Sequence, residues 1–195
     1  MKSMVWQAAA MFILLAFYTV YIGKMLAQKK KGIQTDHMAR GKQKNKAFYI
    51  ELFMKAATYG AVAAELASIL FDTSVFPAAV RAAGLVLGVC GVVIFSLSVW
   101  TMRDNWRAGI APADKTEMVT AGVYQFSRNP AFLGFYLLYG GLLLAFFNGI
   151  LLAVTLLAGI MLHLQVLQEE AYLPTVFGEP YIAYKNRVKR YWGRH

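Results

Sequence analysis

Cysteine is almost absent from this chain. Cys90 is the only one in 195 residues and lies in an apolar run, so neither a disulfide framework nor a thiolate metal site can be argued, and the redox compartment stays open. Charge is scarce as well. Charged residues make up 15% of the chain against 58% hydrophobic, a balance too apolar for one soluble core, and the membrane class follows. No small-residue cleavage site precedes the basic segment at Lys29, so the first apolar run, Met4 to Ile22, reads as a bilayer span rather than a secretory signal. No internal repeat is evident. A glycine-rich phosphate cradle is missing too, because Gly84, Gly88 and Gly91 fall inside a span, where small residues three and four apart let helix backbones approach.

Acidic residues number 10 against 20 basic ones, and the distribution of the net charge of +10 argues against nucleic acid as a partner. Seventeen of the basic residues lie in three segments, Lys24 to Lys46, Thr101 to Pro130 and the tail after Leu167. These alternate with short, nearly uncharged connections. The positive-inside rule therefore assigns all three to the cytosol, and a basic segment beside a bilayer is an orientation signal and a contact for anionic headgroups.

Five spans are predicted, at about Met4 to Ile22, Ala47 to Phe71, Ala79 to Trp100, Ala131 to Phe147 and Ile150 to Leu167. The expected fold is all-α, a polytopic membrane protein with a C-terminal helical hairpin and a cytosolic tail. An odd number of spans puts the N-terminus outside and the C-terminus in the cytosol, in a bacterial inner membrane or the endoplasmic reticulum. The turn Phe147-Asn148-Gly149 is short enough to force the last two helices antiparallel. The whole chain, 1–195, reads as one membrane domain, with three helices and a basic loop in 1–100 and the functional half in 101–195. Glu51 and Lys55, four apart with the acid first, are placed to neutralise one another. Glu65 has no partner at that spacing; an intramembrane acid is a functional hypothesis, with a structural or interfacial role as the alternative.

The chemistry concentrates in the last third. Thr120-Ala-Gly-Val-Tyr-Gln-Phe-Ser-Arg-Asn-Pro130 supplies a turn glycine, an aromatic ring, a guanidinium and a helix-starting proline, with Asn129 suited to cap the helix that Pro130 begins. Gln165, Gln168, Glu169 and Tyr172 share one helical face where the fifth span leaves the membrane. The adjacent acids Glu169 and Glu170 need a nearby cation, and Arg128 or a cationic ligand can provide it. Phe177-Gly178 is a helix-ending signal, and Tyr181, Tyr184, Lys185, Arg187 and Arg190 form an aromatic and basic helix fit to lie on the membrane surface.

Together Val119-Thr-Ala-Gly-Val-Tyr124, Arg128-Asn-Pro-Ala-Phe-Leu-Gly134, Glu169-Glu170, Phe177-Gly178 and Tyr181-x-x-Tyr184 carry a resemblance. From about Trp106 to Tyr191 the chain resembles the isoprenylcysteine carboxyl methyltransferase and phospholipid methyltransferase family of integral membrane enzymes. The resemblance implies S-adenosylmethionine-dependent methyl transfer to a lipophilic acceptor drawn from the bilayer. It also implies a cofactor site made of Thr116, Glu117, Met118, Val119, Tyr124, Asn129, Pro130, Ala131, Phe132, Glu169 and Glu170. No metal is implied. Asn129 and Phe132 stand where the family usually has histidine and tyrosine, and Gln165 stands where prenylcysteine carboxyl methyltransferases have an arginine fit for a carboxylate. Arg128 or Arg187 can substitute for that arginine, which makes Arg128, Gln165 and Arg187 the catalytic candidates. Gln165 shifts the expected acceptor from a prenylcysteine carboxylate toward an amine, thiol or phospholipid headgroup. His163 is a possible base, although a lone histidine in an apolar helix is more often structural. A membrane reductase using NADPH and a non-catalytic membrane scaffold are the rival functions, and the oligomeric state is left open.

Overall fold

The computed structural model describes residues 2–39, 44, 46–109 and 116–195. Its helices are α1 (Lys2–Lys30), α2 (Lys46–Phe71), α3 (Ala78–Met102), α4 (Pro130–Ala145), α5 (Gly149–Phe177) and α6 (Glu179–Arg187), and among the described residues there is no strand. The fold is all-α, as expected. Two short 3-10 turns, Arg103–Asn105 and Gly122–Gln125, lie in the connection between α3 and α4.

Three helices are long and apolar enough to cross a membrane: α1, α3 with the turn after it, and α5. The other two members of the bundle are less simple. Helix α4 is apolar but has 16 residues, and α2 has the length but carries Lys46, Glu51, Lys55 and Glu65. Between a fifth and a third of each long apolar stretch is buried inside the bundle, so most of their apolar surface faces outward. Phe12, Leu15, Val86, Leu156 and Ile160 are all exposed. Such a surface is at home in hydrocarbon and not in water.

Helix α3 is the spine of the bundle, packing against α4 on one side and α1 on the other, while α2 lies along α5. Its contact with α4 is a glycine seam. A Cβ on Gly91 would lie 2.7 Å from the Gly134 carbonyl oxygen, and one on Gly141 would lie 2.5 Å from that of Gly84, so no larger residue fits where the backbones touch. The packing role read for these glycines is thus the observed one. The seam also fixes where α4 begins, and with it the loop that carries Arg128 and Asn129.

Polar caps close one end of the bundle. Asn148 caps α5 by accepting the Leu151 amide at 2.8 Å and donates to Ser68 and Thr73 at 2.8 and 2.9 Å, tying the hairpin turn to the end of α2. Arg81 pairs with Asp72 and lies over the rings of Trp6 and Phe146. The opposite end gathers the described parts of all three basic segments. There Gln28 donates to the Trp106 carbonyl at 3.0 Å, Lys31 pairs with Asp104 at 2.7 Å, and the backbone at Asp36 meets Ala108.

Two local expectations change. Lys55 reaches Asp36 at 2.6 Å while Glu51 accepts the Ala39 amide, because folding brings the basic loop onto α2 and offers partners beyond the same helix. Asn129 occupies the cap position of α4, but its amide makes no capping bond and turns elsewhere. Helix α5 runs ten residues past Leu167 before Gly178, at φ 58°, donates its amide to the Pro174 carbonyl at 2.9 Å and ends it. That ending is the one expected from Phe177-Gly178.

Candidate active site

The protruding end of α5 is one wall of a cavity of about 220 Å³, whose other walls are the loop before α4 and the inner face of α6. Lining it are Thr116, Glu117, Met118, Val119, Tyr124, Arg128, Asn129 and Glu169, so most of the residues expected at a cofactor site come together. Tyr172, Leu173, Val176 and Phe177 follow Glu169 along the same helix, and Tyr181 and Tyr184 complete the lining from α6. The lining is rich in rings and holds two acids.

A second, more apolar cavity of about 110 Å³ lies deeper, between α1, α2, α4 and α5. Tyr18, Tyr21, Met54, Tyr59, Phe95 and Phe135 form much of its wall, and Ala131 and Phe132 belong to it. Phe17, Tyr21, Phe95 and Trp106 pack ring against ring around it, with Phe17 and Phe95 centroids 4.4 Å apart. Arg107, Gly109 and Glu169 line both cavities. Glu169 therefore stands where the polar cavity meets the apolar one.

One helical turn before it, Gln165 is fully buried and donates from Nε2 to Glu169 Oε1 at 2.9 Å, while its own Oε1 has no hydrogen-bond partner among the described residues. Glu170 points away. Its carboxylate receives Arg128 at 3.0 and 3.1 Å, the Asn129 amide at 2.8 Å and Arg190 at 3.1 and 3.2 Å, and it lies outside both linings. A buried carboxylate surrounded by donors in this way is compensated, which answers the repulsion expected from two adjacent acids. The Glu170 bond in turn holds the Arg190 guanidinium above its ordinary range.

The chain end straps this arrangement down. The Arg128 and Asn129 amides donate to the carbonyls of Lys189 and Arg190 at 3.1 and 3.2 Å, Gly193 donates to Phe126 at 2.7 Å, and Tyr184 donates to the Tyr124 carbonyl at 2.7 Å. Burial raises the phenols of Tyr124 and Tyr184 and pushes Tyr181 up to about 12. These rings are neutral near pH 7, so they serve as hydrogen-bonding and stacking surfaces rather than as bases. Among the described residues the Tyr181 hydroxyl and Arg128 Nε are buried without a partner, so the cavity retains unmet polar capacity.

Two remaining candidates fall elsewhere. Arg187 is exposed on the outer side of α6, beside a shallow cleft with Gln125 and Arg194. His163 is hydrogen-bonded through Nδ1 to the Tyr191 hydroxyl at 2.6 Å and lines neither cavity. Pro130 is buried at the first turn of α4, where its missing N–H costs nothing. The apolar cavity includes α1 and α2 residues that gave no sequence signal, since their apolar faces look alike whether they meet lipid or cavity. Arg107 gave none either.

Residues 79–180 match the model of a protein family described as phospholipid methyltransferase. The chain belongs to that family. The match takes in α3, the hairpin and the protruding end of α5 as far as the start of α6, and leaves out α1, α2 and the terminal strap. It thus covers the glycine seam, the loop before α4 and both Glu169 and Glu170, and starts earlier than the resemblance carried by the sequence motifs. No curated protein matches the chain. Membership in the phospholipid methyltransferase family brings methyl transfer to lipid substrates as the activity, in a membrane protein.

Proposed function

We propose that the protein transfers a methyl group from S-adenosylmethionine to a phospholipid or other lipophilic acceptor that enters from the bilayer. The position of Glu169, in the wall common to the polar and the apolar cavity, is the observation that carries this reading. A cofactor of this kind supplies an electrophilic methyl on a sulfonium, and the polar cavity fits it chemically. Glu117 and Glu169 suit an ammonium or ribose hydroxyls, the rings of Tyr172, Tyr181 and Phe177 suit a sulfonium and a purine, and the Tyr181 hydroxyl, without a partner among the described residues, offers a further bond. The apolar cavity suits an acyl or prenyl chain and excludes water from the junction. Catalysis then rests mainly on holding two reactants in line.

Three residues bear on the acceptor. Gln165 is neutral, and Arg128 is bound to Glu170, so neither supplies the cation that a prenylcysteine carboxylate would need. Arg107 and Glu169 line the same junction with opposite charges, which matches a headgroup carrying both phosphate and amine. An amine on a phospholipid headgroup is the favoured acceptor. The gathering of basic segments at one end supports a cytosolic mouth for the cofactor cavity, with the N-terminus on the other side.

Calorimetry on the detergent-purified protein tests the cofactor. Binding of S-adenosylmethionine and S-adenosylhomocysteine is expected; binding of NADPH alone, or of none of the three, would sink the reading. A labelled methyl-transfer assay on membrane extract, followed by identification of the labelled product, names the acceptor.

A further inference from the structure

Helix α6 has two faces with different occupants. Tyr181, Tyr184 and Val188 are buried, and the first two line the polar cavity. Ile182, Lys185 and Arg187 face outward, and Lys189, Trp192 and Arg194 continue that outer face along the strap. Among the described residues no carboxylate pairs with Lys185, Arg187 or Lys189, although three nearby acids, Glu169, Glu170 and Glu179, lie on the same stretch of chain. Glu170 is taken by Arg128 and Arg190, and Glu169 is turned to the cavities. The outer face is therefore left with net positive charge.

The strap also returns to the height of the membrane. Ten residues of α5 beyond Leu167 rise about 15 Å at 1.5 Å each. Yet the Tyr191 hydroxyl, after α6, bonds His163 on the apolar part of α5 and lies 3.3 Å from that of Tyr136 on α4. The chain end has come back down to the edge of the apolar band. Trp192, 59% exposed and stacked on Phe126, sits beside Tyr191 at that level, where indole rings favour a bilayer interface.

We infer that the outer face of α6 and the strap, with Lys185, Arg187, Lys189 and Trp192 as its contacts, docks on the anionic headgroups of the bilayer, and that this docking holds Tyr181 and Tyr184 against the polar cavity. An anionic leaflet is thereby a positive effector of ligand binding in that cavity. The docking stands on geometry and charge alone, whereas its effect on the cofactor rests on the function proposed above.

The full chain in nanodiscs of phosphatidylcholine, or of phosphatidylcholine and phosphatidylglycerol in equal parts, tests both halves. Without any ligand, amide exchange over 179–195 is expected to be about a hundredfold slower in the anionic bilayer, since each of the three cations contributes about fivefold at low salt. Raising the salt concentration erases the difference for the native chain, because surface attraction is screened. Substituting Lys185→Gln, Arg187→Gln and Lys189→Gln together erases it at low salt. Equal exchange in the two bilayers, or a difference that persists in high salt, overturns the docking. S-adenosylhomocysteine is expected to bind about tenfold more tightly in the anionic bilayer. Slowed exchange with unchanged affinity overturns the coupling, and no affinity in either bilayer overturns the cofactor reading while exchange still decides the docking.

Discussion

Glu169 and Glu170 are neighbours in the chain and have opposite surroundings. The step of about 100° between successive helical residues turns one toward the two cavities and the other into the bundle's polar knot. Glu170 is engaged by Arg128, Asn129 and Arg190, which come from the loop before α4 and from the strap. Glu169 is steadied by Gln165 from its own helix. One acid holds the site together, and the other is placed to meet what enters it. The pair therefore works as two separate devices, and a substitution at each is expected to fail in a different way.

The largest effect is expected at Glu170→Ala. It removes the carboxylate that Arg128, whose side chain is 7% exposed, pairs with among the described residues, and breaking a buried pair by removing one partner costs about 3–5 kcal/mol. Denaturation in detergent should show a much lower unfolding midpoint, and ligand binding should fall with it because the strap is released. A midpoint unchanged from the parent would mean that the knot carries no load. Glu169→Ala should do the reverse. Losing one charged hydrogen bond to the ligand weakens cofactor affinity by about 1.5–3 kcal/mol, read by calorimetry, with the unfolding midpoint little altered. A variant that binds S-adenosylhomocysteine as tightly as the parent would erase the contrast between the two acids.

The sequence revealed one of these devices better than the other. The helices, the hairpin turn, the stop at Gly178 and the gathering of Thr116 to Val119 with Tyr124 and Glu169 were all readable, because each depends on local pattern or on a family motif. Glu170 reads in the sequence only as the neighbour of Glu169, since its partners lie 20 to 42 residues away and no periodicity announces them. Asn129 reads as a cap for the same reason: its cap position is local, while the bond its amide makes to Glu170 is 41 residues distant. The deeper cavity was the least readable part. A helix apolar on every face, as in lipid, does not show which side meets Tyr18, Tyr21 or Phe95.

A smaller effect, on specificity, is expected at Gln165. Gln165→Arg introduces a fork-shaped cation one turn from Glu169 and should move the acceptor profile toward carboxylates in a methyl-transfer screen, without abolishing cofactor binding. An unaltered profile would separate Gln165 from the acceptor and leave it only the steadying of Glu169. The Nε2 bond makes the conservative control informative. Gln165→Leu removes that bond while adding no charge, so a loss of cofactor affinity there would report on Glu169's orientation.

The smallest effect tests the contrast at its limit, with a third acid. Glu65 is as buried as Glu170, 1% against 4% exposed, yet both of its carboxylate oxygens lack a hydrogen-bond partner among the described residues. It sits in α2 and is not among the lining residues of either cavity. Burying a carboxyl without partners is costly, and replacing such a group by an apolar residue of similar volume is neutral or stabilising. Glu65→Leu should therefore leave the unfolding midpoint unchanged or raise it, by at most about 1–2 kcal/mol of stability, and should leave S-adenosylhomocysteine binding intact. A drop in stability of the size expected for Glu170→Ala would show that Glu65, too, is held by partners. A loss of methyl transfer at undiminished stability would instead place a third acid in the chemistry.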